Sequence, residues 1–472
     1  MTITETLDNY FSLTERGATI GGELRAGTAS FLTLSYLLLV NPQIMAQAGV
    51  SHDDAVFATA LSASIACFIV GFCANLPFGC APGIGLSAYL AFGLVQAELC
   101  TLEEALTVCW WSGIVVIMIC LSRLTVYLMK IVPQSIKYGI VVGMGLLIAM
   151  IGMVDVNMIV SDEKTLVKLG DVMGDDGTLA LCLCGILLVA SLLYHDVKGG
   201  ILIGIAVLTL FSWTWKHTWP ESIFQWPEFH NNGFLDHPLA VFDWSRAAVF
   251  LPALASFVLI CIFDISGVIY GLATLGGLIT PEGDIPGSFW TFIASGVGTL
   301  VAAYFGSTPI IVCVETASGV REGGRTGLTA VVIGLYFMAS IFLSPLFTAV
   351  PEVATAPVLV MVGVMMMGEA AKIKWENMDE ALPAFLTIIL MPLTYSITNG
   401  MIFGLLSAAA FYFTTGQAFT DTMDLFKNAR AACTNAGRTK DNDANEVKSE
   451  KSEKTALLDV ETGTNTDSGT FS

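Results

Sequence analysis

Apolar runs of roughly 18–22 residues recur from about residue 26 to about residue 415, separated by short polar or glycine-rich stretches. Each run, wound as a helix, is long enough to cross a hydrocarbon layer about 30 Å thick. About fourteen such runs follow one another, some of them broken. The pattern predicts an all-α polytopic membrane protein, and composition strengthens it. Of the 472 residues 54% are hydrophobic and only 13% charged, with a mean hydropathy of +0.72, whereas a soluble domain carries about 25% charged residues.

The runs fall into two blocks. Between them lies "WTWKHTWPESIFQWPEFHNNGFLDHPLAVFDW", rich in Trp, Pro and His and without a spanning run; its Trp residues suit an outer membrane interface. The predicted organisation is a cytoplasmic segment over 1–25, a first seven-span repeat over 26–215, an extracellular linker over 216–247, a second repeat over 248–415 and a cytoplasmic tail over 416–472. Seven is odd, so a second copy re-enters the membrane upside down. Related halves would therefore form a 7+7 inverted repeat.

The net charge of −19 follows the same layout. With the N-terminus inside, Arg123, Lys130, Lys137, Lys198, Arg321, Arg325, Lys372 and Lys374 fall at cytoplasmic ends, while "VSDEKTLVKLGDVMGDDG" and "ELCTLEE" fall outside. Acidic outer loops read as solvated surface, and no nucleic-acid partner is expected. The first residues lack the charged-then-apolar pattern of a cleaved secretory signal. From Lys427 the low hydrophobicity and dense charge predict a disordered tail, in which Glu453 to Leu458, "EKTALL", resembles an acidic dileucine sorting signal.

Both blocks carry one matching irregularity. The third run of the first reads "LPFGCAPGIGLSAYLAFGLV", and that of the second "YFGSTPIIVCVETASGVREGG". Each opens on small or extended-type residues, then Pro, then an apolar stretch too short to span. Gly83 to Val95 makes about 20 Å of helix at 1.5 Å per residue. Interrupted segments at matching positions of two halves point to a transporter binding site near the midplane. Pro82 and Pro309 suit the first turn of a half-helix, where the missing N–H costs nothing. The extended residues before them must be buried in protein or line a cavity, and the helix ends would offer backbone donors to a ligand.

Little other chemistry competes. The 11 cysteines show no metal-site or disulfide spacing, the five histidines lie in or beside loops, and no nucleotide-binding loop is present. Concentrative transport would thus draw on an ion gradient. Asp264 interrupts "FVLICIFDISGVIYGLATLGG" and Glu315 follows Pro309 in the second broken run. A carboxylate at a span centre costs about 3 kcal/mol on insertion scales, so both are functional candidates. No Lys, Arg or His is expected beside them. A carboxylate accepts two in-plane N–H donors, as on a small heterocycle, and can also carry a proton. Two acids at one site do not both ionise cheaply, so one of the pair would hold the coupled proton.

Four stretches resemble the AzgA-like purine permeases of the nucleobase/cation symporter group: "LRAGTASFLTLSYLLLVNPQIMAQAG", "FATALSASIACFIVGFCANLPFGCAPGIGLSAYLAF", "FDISGVIYGLATLGG" and "VETASGVREGGRTGLTAVVIGLYF". The likeness runs in order through 14–415. It implies fourteen spans, with a core domain of spans 1–4 and 8–11 beside a gate domain of spans 5–7 and 12–14. It also implies proton-coupled uptake of adenine, guanine, hypoxanthine and analogues such as azaguanine across the plasma membrane. Both termini would be cytoplasmic, and there would be no cofactor beyond the H⁺ gradient and no enzymatic activity; the resemblance leaves room for a homodimer. The family's third-span Gly falls on Gly85, its eighth-span Asp on Asp264 and its tenth-span Glu on Glu315.

Two positions depart from the family pattern. Ser87 stands where an Asn is usual, and "FDISG" brings Ser266 near the pocket; both bear on which purine is taken. The expected substrate-binding set is Asp264, Glu315, Gly85, Ser87, Gly83, Ser266, Thr308 and Pro309, with Asp264 and Glu315 as the proton-coupling pair and no metal ligands. The alternative is a same-fold transporter of a pyrimidine, of xanthine or uric acid, or of an inorganic anion. A same-fold anion exchanger would place a basic residue near the tenth-span helix end, and Arg321 lies too far toward the cytoplasmic side.

Overall fold

The computed structural model describes residues 3–122, 133–162, 164–171, 177–197, 199–216, 219–220, 222, 224–226, 247–280 and 284–415. Arg123, Lys130, Lys198, most of the linker and the whole tail, including Glu453 to Leu458, lie outside them. By its contacts the chain divides into Met1–Ser407 and Ala408–Ser472; what is described of the second unit is the end of one helix, Ile397–Thr414.

Nine helices among the described residues are long and apolar enough to cross a membrane, and Ile84–Gln96, Thr178–Tyr194 and Gly200–Lys216 are shorter apolar helices. The chain is a multi-pass membrane protein. Two short ladders relax the all-α expectation. Ile159–Asp162 pairs with Leu166–Leu169 as an antiparallel hairpin in what the sequence presents as an acidic outer loop. Its turn is organised by Asp162, which accepts from the Lys164 and Thr165 amides and pairs with Lys168 at 3.2 Å. The second ladder, inside the bundle, is described below.

The helices of Met1–Ser407 pack in two groups. Ile20–Leu34, Leu37–Gln47, His52–Ile69, Leu102–Leu121, Ala247–Gly276, Ser288–Phe305 and Gly327–Ser340 form one, built around the broken segments. Gln134–Asp155, Thr178–Tyr194, Gly200–Lys216, Glu352–Met366 and Met378–Thr394 form the other. Each is seamed by a glycine pair that lets backbones approach, as small residues do where lipid supplies no hydrophobic drive. A Cβ on Gly113 would lie 3.0 Å from the Gly296 carbonyl, and one on Gly363 would lie 2.6 Å from the Gly145 carbonyl.

Charge is buried where the first group closes on itself. Glu23 is 0% exposed and caps the start of the Gly327–Ser340 helix. Its carboxylate accepts from the Arg325 amide at 2.8 Å, the Thr329 amide at 3.1 Å and the Thr329 hydroxyl at 2.6 Å. An acid at a helix N-terminus satisfies donors that the helix itself leaves open.

Candidate functional site

The two broken segments meet. Cys80–Pro82 runs antiparallel to Ile310–Val312, with Cys80 opposite Val312, Ala81 opposite Ile311 and Pro82 opposite Ile310. The ladder continues through Gly83 N–H to Pro309 C=O at 3.1 Å and Cys313 N–H to Gly79 C=O at 3.0 Å. This corrects the expected place of the prolines. Pro82 ends the first extended segment, and the helix starts at Ile84 with Gly83 as its N-cap. Pro309 precedes the second segment, and helix begins only at Val314–Thr316 and Ala317–Arg321. The reason is backbone satisfaction: away from water, each extended segment supplies the partners the other lacks.

Each segment is also tied to the helix before it. Cys67 Sγ accepts from the Cys80 amide at 3.2 Å and donates back to its carbonyl at 3.3 Å. In the other half Thr299 Oγ1 accepts from the Ile310 amide at 3.0 Å, and the Ser295 hydroxyl donates to the Ile310 carbonyl.

Beside the ladder opens a cavity of about 2010 Å³. Asp264 and Glu315, both partly buried, line it together with Tyr36, Gly83, Gly85 and Ser266. It extends to the exposed residues Gln134, Asp284 and Lys372. The Tyr36 hydroxyl donates to Glu315 Oε1 at 2.7 Å. The Glu315 carbonyl accepts from Thr33 Oγ1 at 3.1 Å and Ser318 Oγ at 2.9 Å. Ser266 Oγ donates to its own helix at Ile262 C=O, 2.5 Å away. Gly85 sits against the second group, where a Cβ would lie 2.7 Å from Met144 Sδ. Acceptors from two different elements lining one cavity suit a ligand with several N–H donors. Among the described residues no group of three or more His, Cys, Asp or Glu could hold a metal ion.

Ser87, Thr308 and Pro309 are not among the cavity-lining residues. Ser87 and Thr308 are fully buried in a hydroxyl and amide cluster between the halves. Ser87 Oγ donates to Asn41 Oδ1 at 2.5 Å and lies 2.6 Å from Thr308 Oγ1. Asn41 Nδ2 in turn donates to Thr59 Oγ1 at 2.7 Å and Ser307 Oγ at 3.0 Å. Pro309 contributes its carbonyl to the ladder.

Two cavity residues escape sequence reading. Tyr36 looks like an ordinary apolar-run aromatic. Lys137, assigned by sequence to a cytoplasmic helix end, lines the cavity with its ammonium 5.4 Å from the centroid of the Phe263 ring. Lys137 thus shares the cavity with Asp264 and Glu315, its ammonium against the ring of Phe263. Lys137 is reached because its helix presents Lys137, Val141, Met144 and Ile148 on one face, a spacing visible in the sequence.

Comparison with known proteins extends the geometry. A model described as a permease family matches residues 21–403. The guanine/hypoxanthine permease PbuO of Bacillus subtilis is 36% identical over 402 residues, covering 84% of this chain and 92% of that protein. The adenine permease AdeP of Escherichia coli is 33% identical over 423 residues, covering 87% and 91%. Among solved structures, the transmembrane domain of a cyanobacterium bicarbonate transporter, BicA, superposes with a TM-score of 0.60 at 16% identity, over 81% of this chain and 97% of that one. At that identity the likeness concerns fold alone.

Proposed function

The chain belongs to this permease family, and from that premise we propose that it carries purine nucleobases (adenine, guanine, hypoxanthine and their analogues) across the plasma membrane by proton symport. The observation that carries the reading is the pair of acids, Asp264 and Glu315, opening on one cavity beside paired broken segments, in a chain whose relatives are named as purine permeases. Glu315 and Asp264 accept ring N–H groups, Gly83 and Gly85 let the ring approach the backbone, and the acids carry the proton.

In this reading the chain has fourteen spans in a 7+7 inverted repeat. The helix group around the ladder is the core domain, and the group around Gln134–Asp155 is the gate. The matching anchors of Cys80 and Ile310 support an inverted repeat, since each half ties its extended segment to its second helix. The cavity reaches Gln134 and Lys372, at the ends assigned to the cytoplasm. Toward the opposite ends, Gln43 accepts from Thr355 Oγ1 at 2.6 Å and donates to Val350 C=O at 3.3 Å, joining core to gate. That is an inward-open arrangement, one of the two states alternating access requires. Both termini, 1–25 and the 416–472 tail, lie in the cytoplasm, and 216–247 lies outside.

The test is uptake of labelled adenine, guanine and hypoxanthine, beside uracil, xanthine and bicarbonate, in cells lacking their own nucleobase carriers. Saturable purine uptake supports the reading. Uptake confined to uracil, xanthine or bicarbonate transfers it to the same-fold alternative.

A further inference from the structure

One turn of the first spanning segment holds Glu315 at two points. That segment tightens at its centre: the helix Ile20–Leu34 passes into Leu37–Gln47 through Ser35 and Tyr36, both still in helical conformation. Thr33, on the last turn of the first helix, bonds the Glu315 carbonyl, and Tyr36, at the junction, bonds its carboxylate. Tyr36 is 1% exposed, so its ring is fixed by packing while its hydroxyl reaches the cavity wall. A neutral donor on a carboxylate oxygen makes a short, strong bond. Here the tyrosine's bond falls on Oε1.

Resting on the purine reading, we propose that Tyr36 is a positioning and specificity-determining residue, which commits Oε1 of Glu315 so that the carboxylate meets the incoming ring through Oε2. The consequence lies in the donor pattern of the ligand edge. Guanine presents N1–H and a 2-amino N–H side by side in one plane, the match for a carboxylate with both oxygens free. Hypoxanthine presents N1–H alone. With Oε1 held by Tyr36, Glu315 gives either ring one strong acceptor, and the 2-amino group gains little from it. Glu315 then reads the two purines alike, and discrimination between them passes to the rest of the cavity.

The test is competition of unlabelled guanine and hypoxanthine against labelled hypoxanthine on the purified full chain, with Tyr36→Phe, Thr33→Val and 3-fluorotyrosine at position 36. Tyr36→Phe frees Oε1, so the preference for guanine over hypoxanthine rises about tenfold, the effect of one added bond to a charged group. Fluorination makes the phenol a stronger donor at almost the same size and moves the preference the other way. Thr33→Val loosens the backbone grip without freeing Oε1 and leaves the preference at its wild-type value. A parallel loss of both ligands in Tyr36→Phe, an unchanged ratio in both position-36 variants, or an equal shift in Thr33→Val overturns the assignment. If Tyr36→Phe does not fold, the fluorotyrosine chain decides, and an unchanged ratio there overturns it. Wild-type protein that binds neither purine overturns the purine reading itself, a result distinct from wild-type binding with a fixed ratio.

Discussion

Pro82 lies opposite Ile310, and the carbonyl just before that partner, at Pro309, accepts the Gly83 N–H at 3.1 Å. Two chain breaks far apart in sequence are thus one structural object. Neither extended segment is stable in a membrane interior alone, because each carries peptide groups that lipid leaves unpaired. Together they make a short ladder whose ends are the starts of two helical segments, and the acids of the cavity stand beside it.

The anchors of that ladder are equivalent in the two halves, and removing either has the same effect. Cys67→Ala strands the Cys80 amide and Thr299→Val strands the Ile310 amide. Each leaves a buried donor unpaired and costs about 1–3 kcal/mol. Cys67→Ser and Thr299→Ser keep the acceptor and recover most of the loss. Thermal unfolding of the detergent-purified variants measures this; an unperturbed Cys67→Ala midpoint would show that the Sγ contact holds nothing.

Glu315→Gln keeps the size of the side chain but replaces an acceptor oxygen by an N–H₂ donor. The amide either meets a ring N–H with the wrong polarity or turns its N–H₂ to the Tyr36 hydroxyl, which accepts it, and in both cases the ring loses its bond to a charged acceptor. Affinity for purine falls roughly tenfold to a hundredfold while the amount of protein in the membrane is unchanged. Binding within twofold of wild type would remove Glu315 from the ligand's surroundings.

Ser87 separates a ligand contact from a packing role. Its hydroxyl bridges Asn41 and Thr308 away from the cavity lining. Ser87→Ala therefore lowers the unfolding temperature and leaves the order of adenine, guanine and hypoxanthine as it was. Ser87→Asn restores the residue usual in the family but adds volume to a filled site. A changed purine order in Ser87→Ala, at unaltered stability, would return this residue to the pocket.

Glu23 offers the sharpest stability contrast. Glu23→Ala takes the carboxylate from the Arg325 and Thr326 amides and leaves Thr329 only the Thr326 carbonyl at 3.3 Å for its amide and the residue-23 carbonyl at 3.4 Å for its hydroxyl, costing about 1–3 kcal/mol for each donor left unpaired. Little folded protein reaches the membrane. Glu23→Gln retains one acceptor oxygen and loses less. Quantified surface expression with a fused fluorophore checks the order Glu, Gln, Ala; equal expression of all three would show that the cap is dispensable.

Much of this was legible in the chain. The apolar runs announce a membrane protein, the four motifs announce the family, and both are borne out. Asp264 and Glu315 stand out because a carboxylate in an apolar run is expensive. Pro82 and Pro309 mark where helices break, yet their register does not show, because the partner that satisfies Cys80–Pro82 lies in the other half of the chain. Tyr36 was invisible for a similar reason: an aromatic in an apolar run is ordinary until the acid it bonds is known. Nothing in the sequence singles out Glu23, and Lys137 reads as a charge at a cytoplasmic helix end. Tertiary packing buries the first and turns the second toward the cavity.

Whether the Asp264–Glu315 cavity couples purine movement to protons is decided by transport in a reconstituted system. Liposomes containing the purified chain, with an acid outside and a neutral interior, are given labelled hypoxanthine. Proton symport gives accumulation above the external concentration, faster uptake as the outside pH falls from about 8 to about 6, and collapse of accumulation by a protonophore that leaves exchange intact; a carboxyl group that carries the proton must be loaded on one side and emptied on the other. In the same assay Glu315→Gln accumulates nothing. Uptake that follows external Na⁺ and ignores both pH and protonophore, or accumulation that survives in Glu315→Gln, would contradict it.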